Sequence, residues 1–401
     1  MKKVILLSAM ASSMLLATNG DNLISLGAES RAMGGTGIAM PMGTDSVFKN
    51  PSWLADVKGA EAMFGATLFM PNVKAKNANA NGQEATSKAD ISLIPAVAHA
   101  DRIDENWAYG LGMFGVSGMG TDYRNENGAT PAENKGIADM RTNFQYMRFV
   151  PSIAYKQEDL RVGAGLTLAY GALDMSAVLP TNPMDPSTYA QRGGGMGDDF
   201  GFGFQLGAGY SVTPEINLGA FYQSEVATEY ENVFDFNMDG RYDSLKLSQP
   251  AEYGVGVGYN NGTYRVSLDV KQIQWSDADG YDAFGWDDQT VIAFGAGYKV
   301  LPNLELRAGY SQSDSPIDDT FEGATVGGTP MPASSVAFFN MMGFPAISET
   351  HITAGLGYEF SDKIGLDLAF VHSPKETLKA MNMQVSNEQN SISGALKYKF
   401  D

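Results

Sequence analysis

The sequence predicts an all-β protein, a transmembrane antiparallel β-barrel of about 14 strands that is plugged by an N-terminal hatch. Three observations lead to this prediction. From Gly59 onward, apolar residues alternate with small or polar ones, which is the period-two pattern of strands with two different faces. Short and long connections alternate between these strands, as they do in membrane-spanning barrels. A glycine-rich segment without alternation precedes the first strand.

Composition supports β architecture and excludes several kinds of site. The chain has 401 residues, with 27 Lys and Arg against 46 Asp and Glu, which gives a formal net charge of −19. Nucleic-acid binding is therefore not expected, because phosphate contacts require clustered cations. Charged residues make up 18%, below the ~25% of soluble domains. The absence of cysteine excludes a disulfide framework, a thiolate nucleophile and a zinc–sulfur site.

The first 17 residues have the organisation of an export signal. Two lysines follow Met1, residues 4–16 are mostly apolar, and Ala17 is a small residue suited to a cleavage point. The apolar stretch is shorter than the ~20 residues that a spanning helix needs, and serines interrupt it. We therefore predict a signal peptide over residues 1–17.

Residues 18–58 form the predicted hatch. They include Gly34, Gly35 and Gly37 and end with Asn50-Pro51, a composition suited to compact irregular structure with tight turns. A barrel of 14 strands has a lumen too wide for its own side chains to fill. We therefore expect residues 18–58 to lie inside a barrel formed by residues 59–401.

The barrel strands follow from the alternating runs and the turn signals between them. An even number of strands returns both termini to the periplasmic side. The predicted strands are 59–70, 89–101, 107–116, 142–156, 160–177, 199–212, 216–230, 248–260, 263–276, 289–300, 304–314, 349–361, 363–380 and 386–400. The predicted long external links are 119–141, 178–198, 231–247, 277–288 and 315–348. The aromatic residues expected at the membrane interfaces are Trp107, Tyr155, Tyr259, Trp275, Tyr298, Tyr358, Tyr398 and Phe400.

The order of several short motifs resembles the FadL/TodX family of outer-membrane transporters for long-chain fatty acids and other hydrophobic compounds. The matching segments are 27–39, Lys49-Asn50-Pro51, 106–112, 151–155, 336–345 and 351–355. The resemblance implies a hatch with gating residues at Gly34, Gly35, Gly37, Asn50 and Pro51. It also implies a bacterial outer-membrane location, an external groove for the ligand and an inner pocket. The chain departs from the family pattern at Ser52, where the family has Ala, and at Asp401, which follows the aromatic Phe400.

The resemblance also implies a lateral opening beside the third strand, where a kink lets the ligand diffuse into the membrane. This strand carries Gly110, Gly112 and Gly115, and glycine tolerates the dihedral angles of a bulge. Glycine is common throughout the chain, so a generic glycine-rich strand is the alternative interpretation.

Strand parity predicts which charges face the lumen. When the apolar residues of each strand face outward, Arg148, Lys271 and Arg307 face inward and are candidate ligands for a carboxylate. The alternative is that these cations pair with acidic residues of the lumen, namely Asp269, Glu305 or Asp367.

One external loop resembles half of a calcium loop. Asp235, Asn237, Asp239 and Asp243 place oxygen atoms at alternate positions, and a glycine stands at the turn. The twelfth position is Lys246 where an EF-hand has a bidentate Glu, so an EF-hand is excluded. A solvated acidic turn is the favoured interpretation and a structural calcium ion the alternative. No other cofactor is expected.

These observations favour a passive, ligand-gated outer-membrane transport protein for hydrophobic molecules, with lateral release into the membrane. A nonspecific porin and a structural or adhesin barrel are the alternatives. An enzyme is not expected, because the three histidines lie on separate strands without a catalytic motif. The expected partners are a hydrophobic ligand, outer-membrane lipid and lipopolysaccharide, with no nucleic acid, and the protein is expected to be a monomer.

Overall fold

The chain forms a closed antiparallel barrel of 14 strands in the computed structural model, which describes residues 18–80, 82–126, 136–182 and 185–400. Each barrel strand pairs with the next, and the last pairs with the first along its whole length. The predicted fold class is confirmed. The predicted signal peptide, residues 1–17, lies outside the described residues.

The barrel strands are numbered β1 to β14 in chain order. They are β1 Glu61–Asn77, β2 Ser92–Arg102, β3 Trp107–Ser117, β4 Arg141–Gln157, β5 Leu160–Asn182, β6 Asp185–Ser211, β7 Ile216–Gln223, β8 Glu252–Asn260, β9 Tyr264–Ile273, β10 Gln289–Leu301, β11 Leu304–Ser313, β12 Thr350–Glu359, β13 Ile364–Ala380 and β14 Met383–Lys399.

Smaller elements lie in the N-terminal segment and in the external loops. The N-terminal segment, residues 18–58, contains two-residue strands at Thr18–Asn19 and Asn22–Leu23, the helix α1 at Ala28–Ala32, and 3₁₀ helices at Gly43–Phe48 and Pro51–Asp56. The loops contain short strands at Glu84–Thr86, Gly120–Asp122, Glu229–Phe234, Asp243–Lys246, Ala324–Val326 and Thr329–Met331, a 3₁₀ helix at Trp275–Asp277, the helix α2 at Ala333–Phe338 and a π-helix at Phe339–Gly343. None of the helices in the described ranges is long and apolar enough to cross a membrane.

Alternation along the strands gives the barrel an apolar outer surface. Leu268 on β9 is 43% exposed, whereas its neighbour Asp269 is 3% exposed and faces the lumen. Every barrel strand presents an exposed apolar side chain of this kind: Phe64, Leu93, Leu111, Phe149, Leu166, Phe202, Leu218, Val255, Leu268, Ile292, Leu306, Ile352, Leu368 and Ile392. Such a band is what the hydrocarbon interior of a membrane requires.

Several predicted boundaries are wrong where strands continue beyond the apolar band. The link predicted at 178–198 consists largely of the ends of β5 and β6, which pair with each other from Leu160 to Asn182. Polar residues are tolerated there because a ribbon that projects beyond the lipid needs no apolar outer face. The predicted strand 216–230 is also too long, since β7 ends at Gln223 and the chain then forms a separate hairpin.

Aromatic pairs mark the periplasmic ends of the strands. Their ring centroids lie 4.7–5.0 Å apart in Trp107–Tyr155, Tyr264–Tyr298, Tyr358–Phe360 and Tyr398–Phe400. Trp275 was wrongly assigned to a membrane interface. It is fully buried in an external-loop cluster with Tyr281 and Trp286, because the chain leaves the barrel at Ile273.

Candidate transport site in the barrel lumen

The N-terminal segment lies inside the barrel, and a single amide fixes it to two strands. Asn50 is fully buried, and its Nδ2 donates to the carbonyl oxygens of Ile38 at 2.7 Å, Ala208 on β6 at 3.1 Å and Ala220 on β7 at 3.2 Å. Its Oδ1 accepts hydrogen bonds from the amide of Ser52 at 3.1 Å and from the Ser52 hydroxyl at 2.7 Å. Pro51 follows at the first position of the 3₁₀ helix, where a missing N–H costs nothing.

The glycine turn of the N-terminal segment is held by two side chains of the wall. Gly34, Gly35 and Gly37 have positive φ angles of 70°, 84° and 151°, which favour glycine. The Gly34 amide donates to the Thr353 hydroxyl at 2.9 Å. The amides of Gly37 and the next residue both donate to Oδ2 of Asp269, at 2.7 and 2.9 Å.

Glycines of the wall give the N-terminal segment the room to pack closely. A methyl group added at Gly110 would meet Leu54, and one at Gly112 would meet Val47 and Phe48. Gly110 and Gly112, which belong to the third strand, therefore face the N-terminal segment. The same close approach occurs at Gly163, Gly207, Gly209, Gly219, Gly258, Gly295, Gly309 and Gly355.

The third strand changes partners at its external end. Pairing between β2 and β3 stops at Ala96 and Phe114, and a bulge in β3 falls between Gly115 and Ser117. Ser117 instead pairs with Asn22 of the N-terminal segment. Leu23 packs beside this point against Phe69 and Ile94, which belong to β1 and β2.

The three candidate ligand-binding cations all face the lumen, in different surroundings. Arg307 contacts Glu305 at 2.6 Å and also pairs with Asp367. Lys271 lies 2.8 Å from Glu252. Arg148 is 3% exposed, its Nε and Nη2 have no hydrogen-bond partner, and its guanidinium carbon lies 5.4 Å from the Tyr146 ring centroid.

A buried carboxylate in the N-terminal segment joins several of the lumen charges, and sequence reasoning missed it. Glu29 in α1 contacts Arg265 on β9 and Lys397 on β14, both at 2.6 Å, and Arg307 on β11 at 3.6 Å. Burial raises the pKa of Glu29, but the attraction of these three cations outweighs burial and lowers the pKa well below its usual value. The available signal was a single acid within the glycine-rich run 27–39.

The acidic loop residues are mostly engaged within the protein. Asp235 pairs with Arg192, and Asp243 accepts a hydrogen bond from the Phe236 amide at 3.0 Å. Asn237 accepts one from the Asp239 amide at 2.8 Å. The described residues contain no group of three or more His, Cys, Asp or Glu side chains that could hold a metal. Calcium binding in this loop stays a prediction.

The histidines form no recognisable catalytic arrangement in the described part of the chain. His351 Nδ1 lies 3.4 Å from the Ser311 hydroxyl, but both residues are fully buried and the His351 Nε2 has no partner. His372 Nδ1 contacts Asn390 Oδ1 at 2.9 Å, and His99 Nε2 contacts the Tyr109 hydroxyl at 3.2 Å. A Ser–His pair without an orienting carboxylate lacks one part of a catalytic triad.

Comparison with known families identifies this arrangement. Residues 6–329 match the family model described as outer membrane protein transport protein (OMPP1/FadL/TodX). The chain belongs to the FadL/TodX family. This FadL/TodX chain is therefore a bacterial outer-membrane protein. Its family consists of transport channels for hydrophobic compounds rather than enzymes.

Individual relatives are distant but similar over most of their length. The chain is 23% identical to the 47 kDa outer membrane protein of Pasteurella multocida, with 83% of this chain and 82% of that protein covered. It is 21% identical to a long-chain fatty acid transport protein of Escherichia coli, over 86% and 84% of the two chains. The crystal structure of the Pseudomonas putida toluene transporter TodX aligns with a TM-score of 0.72 at 22% identity, over 94% of this chain and 99% of that one. This structural likeness shows that the FadL/TodX fold is shared.

Proposed function

We propose that this protein takes up hydrophobic molecules passively across the outer membrane, with residues 18–58 as a ligand-gated hatch and with lateral release beside β3. The observation that carries the proposal is the partner exchange at Ser117, where the third strand leaves β2 and pairs with Asn22. At this place the wall depends on the N-terminal segment for its continuity. A movement of that segment would therefore open the lumen to the side.

The lateral route agrees with the side chains around the exchange. Leu23, Phe69 and Ile94 form a small apolar cluster there. An apolar ligand that left the lumen at this point would pass from an apolar contact into the hydrocarbon region without crossing water. This route favours release into the membrane, because the apolar surface of the ligand stays out of water along its whole length.

Gating by the N-terminal segment is supported by how the segment is attached. Its ties to the wall are hydrogen bonds and ion pairs, made by Asn50, Asp269 and Glu29, and not a continuous β-ladder. A few polar contacts can be exchanged for contacts with a ligand, whereas a ladder would have to be broken along its length. The segment also fills the lumen, which favours a gated channel over an open porin.

The ligand would be a fatty acid or a hydrocarbon. Among the three candidate cations, Arg148 is the strongest for a carboxylate, because Arg307 and Lys271 are already paired with acids. A buried guanidinium with free donors binds an anion more strongly than one in water. Two related proteins carry the names long-chain fatty acid transport protein and toluene transporter, so both ligand classes occur among its relatives.

The proposed surroundings are outer-membrane lipid and lipopolysaccharide, and the proposed state is a monomer. The exposed apolar band runs around all 14 strands, so lipid can cover the whole circumference. The external loops carry acidic residues such as Asp277, Asp282 and Asp287, which can share the divalent cations that bridge lipopolysaccharide.

The test combines conductance and uptake. In planar bilayers the wild-type protein should show little ion conductance, and a deletion strain should lose uptake of oleate or of toluene. A large steady conductance would favour the porin instead. Normal uptake of both compounds by the deletion strain would reject the transport proposal.

The hatch itself is tested by the double substitution Asn50→Ala with Pro51→Ala. It removes the shared amide and the fixed turn but leaves the barrel ladder intact, so the barrel should assemble and transport should change or a leak appear. If the double variant transports like the parent protein and shows no conductance in planar bilayers, Asn50-Pro51 forms only a turn.

A further inference from the structure

The N-terminal segment contains a second buried carboxyl group, close to Glu29 but without a partner. Asp45 belongs to the 3₁₀ helix Gly43–Phe48 and is 3% exposed. Within the described residues neither of its carboxyl oxygens has a hydrogen-bond partner and the side chain forms no ion pair. An ionised carboxylate in such a place is costly, because burial removes its hydration and no donor replaces the lost water.

The carboxyl group of Asp45 is enclosed by the backbone of its own segment. A methyl group added at Gly27 would overlap Oδ2 of Asp45, so the carboxyl group packs directly against Gly27, which immediately precedes α1. This close contact leaves no room for water between them. Water would hydrate an ionised Asp45 only after the 3₁₀ helix and α1 had moved apart.

The charged side chains nearest to Asp45 are mainly acidic. The carboxylates that oppose its ionisation by repulsion are Glu29 of α1, Asp367 of β13 and Glu61 of β1. Lys397 of β14 attracts Asp45, but its ammonium group already contacts Glu29 at 2.6 Å and Asp367 at 2.8 Å. Lys397 is therefore already engaged by two other carboxylates.

The other elements packed against this 3₁₀ helix offer Asp45 no free cation in the part of the chain that the structure describes. Asp56 of the following 3₁₀ helix contacts Lys156 at 2.7 Å and Arg161 at 2.6 Å. The lumen faces of β2 and β3 present small and apolar side chains beside the segment. Arg148 of β4 lies over an aromatic ring of its own strand.

The cations of the N-terminal segment itself are placed elsewhere. Arg31 of α1 donates to the carbonyl oxygen of Ser25 at 3.0 Å and to the hydroxyl of Ser391 at 2.6 Å. Lys49, which follows the 3₁₀ helix, lines a small cavity together with Asp269. Asp45 is thus left without a counter-charge.

A count of the surrounding charges leads to the same conclusion. The cations of the network are matched in number by carboxylates: Arg265, Arg307 and Lys397 meet Glu29, Glu305 and Asp367. Glu61 lies at the start of β1, is partly exposed, and accepts from the Thr44 amide at 3.3 Å, so water and a donor stabilise its charge. An ionised Asp45 would add a negative charge that nothing balances, whereas a protonated Asp45 leaves the network neutral.

The affinity of Asp45 for a proton follows from these surroundings. Burial raises the pKa of the Asp45 carboxyl most, Lys397 opposes this, and the charges of Glu29, Asp367 and Glu61 raise the pKa further, to about 7. An aspartic acid in water has a pKa of about 3.9. The docked segment therefore keeps a proton on Asp45 at pH values where a hydrated Asp45 has lost it.

We propose that Asp45 is a proton-dependent switch of the N-terminal segment: its neutral carboxyl group permits docking in the barrel, and its ionisation releases the segment. This inference rests on the proposed gating by residues 18–58. The ionised group repels Glu29 and requires water, so α1 and the 3₁₀ helix separate. Glu29 makes the ion pairs of α1 with β9 and β14, so this separation weakens the attachment of the segment to the wall.

The direction of the pH effect follows from the difference in proton affinity. The docked state binds the proton of Asp45 more tightly than the released state, so docking is strongest at low pH and weakens as the pH rises through about 7. Between about pH 4 and pH 7 the docking equilibrium should fall by up to about tenfold per pH unit, and above about pH 8 it should be constant. Asp45→Asn keeps the shape of the protonated acid and should abolish this dependence.

The test measures docking independently of transport, in full-length protein in lipid vesicles. Ala55 is 4% exposed in the following 3₁₀ helix, and the natural chain has no cysteine, so Ala55→Cys reports release of the segment through its rate of reaction with a water-soluble maleimide. The rates of the Ala55→Cys parent and of the same protein with Asp45→Asn are compared at each pH, so the titration of the thiol cancels. From pH 5 to pH 7 the parent should become at least about tenfold more reactive relative to Asp45→Asn.

Two further variants control this measurement. Asp362→Asn removes an exposed acid from the periplasmic turn between β12 and β13 and should leave the pH dependence of the parent unchanged. Asp45→Ser is a second neutral variant that should behave like Asp45→Asn, and it replaces that variant if the amide does not assemble. Assembly of each barrel is checked by its heat-modifiable mobility in gel electrophoresis.

Uptake of toluene gives the functional readout, because toluene has no titratable group and pH then acts on the protein alone. The parent should take up toluene faster at pH 8 than at pH 5, and Asp45→Asn should stay at the lower rate at both values. A constant ratio of cysteine reactivity between parent and Asp45→Asn from pH 5 to pH 8 would overturn the switch, even if uptake depends on the protein. If the ratio changes as expected but a deletion strain takes up toluene and oleate normally, the switch stands and the transport proposal fails.

Discussion

Glu29 is surrounded by cations that belong to three different strands. Together with Glu305 and Asp367 it balances the positive charges of Arg265, Arg307 and Lys397 in the periplasmic half of the lumen. The removal of one member leaves a charge without a partner in a place that water reaches poorly. The energetic effect should therefore be large for a single side chain.

We expect Glu29→Gln to reduce the free energy of unfolding by about 3–5 kcal/mol, the usual result of breaking a buried ion pair. Adding Lys397→Met restores neutrality and should recover more than half of this loss in a double-mutant cycle measured by chemical unfolding in lipid vesicles. The control is Glu359→Gln, whose pair with Lys399 is exposed and should contribute less than about 1 kcal/mol. Equal losses for Glu29 and Glu359 would show that the network contributes no more than a surface pair.

Sequence reasoning at this scale predicted directions and, as its alternative interpretation, the pairing of Arg307 with Glu305 and Asp367. It did not predict that Lys271 pairs with Glu252. The period of two was sufficient to turn Lys271 and Arg307 inward, because side-chain parity is a local property of a strand. The pairing of Lys397 with Glu29 joins residues 368 positions apart and depends on barrel closure. No local pattern contains that information.

Glycines of the barrel strands also make room for the N-terminal segment. The family resemblance links the glycines of the third strand to a kink, and Gly110 and Gly112 pack in addition against Leu54 and Val47. Gly115 adjoins the bulge. The glycines of the barrel strands thus mark the places where the N-terminal segment packs closely against the wall.

We expect Gly309→Ala to displace the N-terminal segment, because the new methyl group would meet the backbone at Gly34. Overpacking of this kind costs about 1–3 kcal/mol. It should appear as conductance in planar bilayers from barrels that still assemble. Gly394→Ala is the matched control, since its methyl group would make only ordinary contact with Leu368. If both variants stay silent and equally stable, close packing at Gly309 is unimportant.

The partner exchange of the third strand can be tested with introduced cysteines, because the natural chain has none. Asn22→Cys with Ser117→Cys places two thiols on directly opposed residues, within reach of a disulfide. Oxidation should abolish uptake by fixing the N-terminal segment to β3, and a reductant should restore it. The single variants serve as controls. Full uptake by the oxidised, fully cross-linked protein would contradict opening at this point.

At the level of strands the sequence predicted number, order and direction, because alternation and turn signals are repeated in every hairpin. It failed where strands rise beyond the lipid, as between β5 and β6, since the apolar outer face that marks a membrane strand is no longer required there. It also could not indicate that the chain leaves the barrel after Gln223 to build a separate hairpin.

The apolar band defines where the molecule tolerates charge. Leu268 lies in the middle of β9 and faces lipid, whereas Leu301 ends β10 near the periplasmic turn. Leu268→Arg should reduce the free energy of unfolding in bilayers by about 2–4 kcal/mol, and Leu301→Arg by about 0–1 kcal/mol. Equal effects at the two depths, measured by unfolding in vesicles, would show that the band is not in the membrane interior.

The long separation of the contacts made by residues 18–58 has a consequence for biogenesis. These residues are synthesised before the barrel strands, yet Arg31 donates to Ser391 and Glu29 binds Lys397, both on β14, which follows the other 13 strands. During export the segment therefore cannot complete its contacts until β14 has arrived. We therefore expect docking of the N-terminal segment and closure of the barrel to be completed together, late and slowly. Contacts so distant along the chain form only after a large loss of conformational entropy. A chain that stops before β14 could neither close the barrel nor hold the N-terminal segment in its final position.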